Sequence, residues 1–149
     1  MQTGLGPEKE WDGEYNATAE DWPMFLAILL HYVPNHGGVV RQVTNIAVAI
    51  DLPASETWSR LFAGNTPTLG SPYELKLTDS LVVHGTTRLI NPGRRLVGTI
   101  PDLNYAIFVL TIHDKEDKSK IAIELFTYNL PADQLVTTER QWTDALINI

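Results

Sequence analysis

The chain has 149 residues, 44% of them hydrophobic and 19% charged, which fits one globular domain with a sizeable core and excludes wholesale disorder. A net charge of −7 with only 11 Lys and Arg argues against nucleic acid or an anionic membrane as partner, since either demands a basic face. The absence of cysteine removes disulfides, thiolate nucleophiles and thiolate metal sites together, and fits a reducing compartment.

Residues 1–17 carry Gly4, Gly6, Pro7 and Gly13 among charges and read as a loop or extended lead-in. Thr18 is placed to cap a helix, with Asp21 at its third position to answer orphan N–H groups. Trp22, Phe25, Leu26, Leu29, Leu30 and Val33 follow at spacings of three and four, the stripe of an amphipathic helix that Pro34 and Gly37-Gly38 end. The longest apolar run, Met24 to Leu30, is far short of the roughly 20 residues of a membrane span. With no basic-then-apolar leader at the start, the chain reads as cytoplasmic.

Val43 to Leu52 switches to a period of two, with Ile46, Val48, Ile50 and Leu52 on one face of a half-buried strand. Pro53 opens a short helix whose buried face is Trp58, Leu61 and Phe62, and Gly64-Asn65 offers a left-handed cap. Five alternating segments come next: Tyr73 to Leu77, Leu81 to Ile90, Arg95 to Ile100, Tyr105 to His113 and Ile121 to Tyr128. Asn91-Pro92-Gly93-Arg94 has the residues of a type II turn, and Asp114 to Lys120 reads as a charged hairpin loop. A last helix spans Pro131 to Ile149, with Leu135, Trp142, Leu146 and Ile149 at helical spacing. This order gives an α+β fold in which helices cover an antiparallel sheet of about six strands.

Ile50-Asp51-Leu52-Pro53-Ala54-Ser55-Glu56-Thr57-Trp58 resembles the strand-to-helix entry of the START-like SRPBCC superfamily. The Asn91-Pro92-Gly93-Arg94-Arg95-Leu96 turn is similar to the strand pair of that superfamily. Leu125-Phe126-Thr127-Tyr128-Asn129-Leu130 with Trp142-Thr143-Asp144-Ala145-Leu146 resembles the last strand and helix of the subgroup related to the C-terminal domain of the Hsp90 activator Aha1. The resemblance covers residues 43–149 and implies a helix-grip, a curved antiparallel sheet packed against the C-terminal helix. Trp22 and Leu26 align with Trp142 and Leu146, so residues 1–38 read as the remnant of a preceding tandem unit and residues 39–149 as the helix-grip domain. The stripe of Trp22, Phe25, Leu26 and Leu29, worth about 1.5 to 3 kcal/mol per buried side chain, demands cover from the sheet or from a homodimer through this helix.

The resemblance further implies a cavity between sheet and last helix for a hydrophobic small molecule. Strand alternation offers two linings without choosing: Ile107, Val109, Thr111 and His113 with Ile121, Ile123, Leu125 and Thr127, or Phe108, Leu110 and Ile112 with Glu124, Phe126 and Tyr128. The candidate binding set is Ile107, Val109, Thr111, His113, Ile123, Leu125 and Thr127 of the first lining with Trp142 and Leu146. No catalytic, metal or cofactor residue is assigned. His31, His36, His84 and His113 form no HExxH motif, there is no nucleophile elbow, and Gly4-Leu5-Gly6 and Gly37-Gly38 lack the rest of a nucleotide loop. Arg94 and Arg95 read as solvated turn charges. The expected function is non-enzymatic binding of a hydrophobic molecule. The alternatives are a protein-interaction module of the Hsp90-activator type and a polyketide cyclase or aromatase-like enzyme, types the superfamily also contains.

Overall fold

A computed structural model describes the backbone of residues 9–149 and the side chains from Asp21 onward. The elements in order are α1 (Lys9–His36), β1 (Arg41–Ile50), α2 (Ala54–Leu61), β2 (Pro72–Lys76), β3 (Val82–Asn91), β4 (Arg95–Ile100), a 3-10 turn (Pro101–Leu103), β5 (Ala106–Lys115), β6 (Lys118–Tyr128) and α3 (Ala132–Ile147). The six strands form one antiparallel sheet in the order β1-β6-β5-β4-β3-β2. Pairing β1 with β6 brings the first strand beside the last and leaves β1 and β2 at the edges.

The expected lead-in is helical from Lys9 on, while its first eight residues lie outside the described ones. Gly13 costs only about 1 kcal/mol in a helix of 28 residues. Thr18 and Asp21 are therefore mid-helix, not at a cap. Pro34 also lies inside the last turn, where Asn35 Nδ2 donates to the His31 carbonyl at 2.8 Å and Gly38 takes a left-handed φ of 86°.

Other local expectations hold. Pro53 precedes α2, and Trp58, Leu61 and Phe62 are buried. Arg94 N donates to Asn91 O at 3.0 Å across a turn whose Gly93 has φ 80°, as a type II turn requires. The Asp114 to Lys120 segment differs. The ladder continues to Lys115↔Lys118, so the loop is a two-residue turn of Glu116 and Asp117 with Glu116 left-handed. Backbone pairing needs no apolar side chain, and a compositional boundary therefore stops the strands too early.

α2 and α3 cover one face of the sheet, the inner face. Its core holds Ile46, Val48, Leu96, Phe108, Leu110, Ile123 and Leu125 from the strands with Trp58, Leu61, Trp142 and Leu146 from the helices. α1 covers the outer face, where Met24 and Ile28 pack with Val97, Ile107, Val109, Phe126 and Tyr128. Trp22 and Trp142 thus belong to helices on opposite faces of one sheet, and the two are not equivalent: Trp142 is buried and Trp22 is exposed.

Trp142 meets the Phe108 ring edge-on, centroids 6.2 Å apart, at the centre of the inner core. Trp142→Ala is expected to lower stability by about 3–5 kcal/mol, read as a drop in the urea midpoint.

Candidate functional site

The register of the central hairpin decides which residues share a face. Ile107 pairs with Phe126, Val109 with Glu124 and Thr111 with Ala122, while Phe108 pairs with Leu125 and Leu110 with Ile123. Directly paired residues point to the same side. Ile107, Val109 and Thr111 accordingly face α1 on the outer side, whereas Ile123, Leu125, Trp142 and Leu146 face the inner core. Thr127 is buried and donates to Gln42 Oε1 at 3.1 Å, and His113 is exposed near the hairpin turn. The structure therefore divides the nine-residue candidate set between two faces, and they do not line one cavity. The second lining is mixed in the same way: Phe108, Leu110 and Ile112 are inner, Glu124, Phe126 and Tyr128 outer.

The centre of the inner face is packed with side chains. Tyr73 lays its ring over Gly98 and against Phe108, centroids 5.6 Å apart, and its hydroxyl donates to the Thr99 carbonyl. An added Cβ at Gly98 would stand 2.6 Å from a Tyr73 ring carbon, so a glycine is needed for this close approach. Burial pushes the Tyr73 phenol far above its ordinary value, which keeps it a neutral hydrogen-bond donor.

Cavities of about 440 and 450 Å³ open beside Phe62, Tyr73 and His84 and beside Leu81, Asp144 and Ala145, and the more apolar spaces lie beside α1. A groove of about 480 Å³ runs between α1 and the β1–β6 side of the sheet, with Met24, Ile28 and Phe126 buried beneath it and Phe25, Leu29 and Tyr32 along the helix. Arg41 and Glu124 are its charged residues, and the Arg41 guanidinium sits 4.7 Å from the centre of the Phe126 ring, a cation–π contact. On the other flank, Leu26, Leu30, His31 and Arg88 border a second groove between α1 and β3. Sequence reading missed this site because Met24, Ile28 and Tyr32 form a second apolar line on α1, opposite the more obvious one. The obvious line faces solvent. Trp22, Phe25, Leu26, Leu29, Leu30 and Val33 are each 50–72% exposed, so the cover expected for them is not supplied by the described residues.

Polar contacts pin α1 to the sheet. Arg95 on β4 donates to Asp21 Oδ1 at 2.9 Å and from Nε to Thr111 Oγ1 at 3.3 Å, so Arg95 is a tie between layers and not a solvated turn charge. Asn104 and Tyr105 are both left-handed, at φ 52° and 56°, in the turn before β5. The Tyr105 carbonyl accepts from two rings, His31 Nε2 at 2.7 Å and His36 Nε2 at 2.8 Å. A carbonyl only accepts, so both Nε2 atoms carry hydrogen. His36 also stacks on Tyr128, centroids 3.8 Å apart, and His31 Nδ1 is buried with no hydrogen-bond partner among the described residues. Among the described residues no group of three metal-binding side chains is present.

With this geometry the chain is similar to several solved structures. It aligns with the solution structure of the Aha1 dimer from Colwellia psychrerythraea at a TM-score of 0.57 and 10% identity, over 72% of this chain and 92% of that one. It aligns with Ara h 8.0201 at 0.52 and 10% identity, over 73% and 97%. A third is DynU16, a protein of the dynemicin biosynthetic locus, at 0.55 and 11% identity over 71% of this chain; the chain spans 46% of DynU16. The fold shared with these structures is an α+β helix-grip. No family model matches the chain, and no curated protein matches it in sequence. Identities this low carry the fold and leave the activity open. No helix among the described residues is long and apolar enough to cross a membrane.

Burial holds the His31 ring below its ordinary value of 6.5, opposed by the bond to Tyr105 and reinforced by the charges of His36 and Arg88. The folded state thus favours the neutral ring. As pH falls below about 6.5 the unfolded chain binds the proton first, and stability is lost from there down to the depressed folded value. His31→Gln keeps an Nε2 donor and removes the titration. Its urea midpoint is expected to fall less than that of the wild type between about pH 7.5 and pH 5.5.

Proposed function

We propose that this domain is a binding module for a small hydrophobic molecule and that its site is the groove between α1 and the β1–β6 side of the sheet. The observation that carries this reading is the groove itself. About 480 Å³ falls within the roughly 300–1,000 Å³ usual for small-molecule sites, and its lining is apolar except for Arg41 and Glu124. An apolar body would lie against Met24, Ile28 and Phe126, and a polar end would meet Arg41 or Glu124 at the exposed rim. The space between sheet and α3, where the superfamily resemblance implied a ligand, is occupied by Tyr73, Phe108, Trp142 and Leu146. Cyclase chemistry calls for titratable groups inside a deep pocket, whereas Arg41 and Glu124 are exposed. A protein-contact role is favoured separately by the exposed stripe of α1, and the Aha1 structure similar in fold is a dimer.

Nile red is a neutral apolar probe suited to the test. Saturable binding by the wild type, weakened roughly tenfold in Leu29→Gln and unchanged in Leu30→Gln on the other flank, is the expected result. Absence of saturable binding, or equal loss in both variants, removes the groove as the site.

A further inference from the structure

α1 has two apolar faces, and the sheet uses one. Met24, Ile28 and His31 are buried against the outer face, while the opposite side presents Trp22, Phe25, Leu26, Leu29, Leu30 and Val33 to solvent. Monomeric proteins rarely expose a contiguous apolar patch of this size. The stripe shares Phe25 and Leu29 with the rim of the groove, whereas Trp22, Leu26, Leu30 and Val33 are not among the groove's lining residues.

We propose that this stripe is covered by the same stripe of a second copy, with the two α1 helices packed antiparallel about a two-fold axis. Size is the first support. At about 150–250 Å² for a large apolar side chain, the exposed fractions leave roughly 600 Å² per copy, and two copies reach the ~1,200 Å² at which specific interfaces begin. Charge is the second. The chain carries −7 overall, yet no Asp, Glu, Lys or Arg occurs from Trp22 through Val40. Two copies therefore meet at the stripe itself without opposing like charges, whereas a charged partner finds no complement there. Just before the stripe, Asp21 is already turned to Arg95.

Spacing is the third. Trp22, Leu26, Leu29 and Val33 are separated by four, three and four residues, the alternation that keeps one seam facing a neighbouring helix. An antiparallel pair is self-complementary. It sets Trp22 beside the partner's Val33 and puts the axis between Leu26 and Leu29, with about 16 Å of helix from one end of the seam to the other.

Sedimentation equilibrium of the whole chain at micromolar concentration tests the proposal. The expected wild-type mass is twice the 16.6 kDa of one chain. Leu26→Glu/Leu30→Glu is expected to be monomeric, and Val33→Glu alone to raise the dimer Kd at least tenfold, both with unchanged circular dichroism because these side chains are exposed in the monomer. A monomeric wild type overturns the proposal, as does a dimer that persists undiminished in both variants. A wild-type monomer that floats with phosphatidylcholine vesicles would overturn it too, by giving the stripe to a lipid surface. Nile red binding by the double variant separates this outcome from the groove, since Leu26 and Leu30 lie outside it.

Discussion

The central strands β4, β5 and β6 carry large apolar side chains on both faces, and the remaining architecture follows from that. From Ala106 to Ile112 every residue of β5 is buried, with Phe108 and Leu110 turned one way and Ile107 and Val109 the other. An antiparallel sheet of this kind cannot leave one face to water and needs a layer on each side. α2 and α3 supply the inner layer. Among the described elements α1 alone lies on the outer one, and it meets the sheet through Met24 and Ile28 with three polar attachments around them: Asp21 to Arg95, and His31 and His36 to one carbonyl.

That role explains the unusual character of α1. A helix covering a single sheet needs one apolar stripe, and its other side is ordinarily charged. Here the side away from the sheet is the more apolar of the two in bulk, with Trp22 and Phe25 among its residues. The grooves along its flanks arise because one narrow helix, resting mainly on β3 and β5, cannot span a six-stranded sheet. The α1 side of β1 keeps Val43 and Ala47 accessible for the same reason.

Much of the fold was legible because it is written locally. The proline before α2, the Asn91-Pro92-Gly93-Arg94 turn and the alternation of each strand are properties of short segments, and they specified the elements correctly. The candidate site was not legible, because it depends on pairing between segments. Grouping Ile107 and Val109 with Ile123 and Leu125 pairs odd with odd numbers, which requires a hairpin centred on Asp117. The real turn is centred between Glu116 and Asp117, half a residue away, and pairs odd with even. Side chains alternate with a period of two, so that half-residue exchanges the faces of one strand against its neighbour. The stripe of α1 was read correctly as a stripe, but periodicity does not say which of two apolar lines the sheet will take.

The position of α1 in the chain has a consequence for synthesis. It leaves the ribosome before every strand of the sheet, yet its landing surface is assembled from β3, β4, β5 and β6, and β6 ends at Tyr128. Until β6 is made, neither of its apolar faces has a complete docking surface within the domain. A nascent chain in that state is a natural client for chaperones that hold apolar segments, and completion of the last hairpin is the event that lets α1 come to rest.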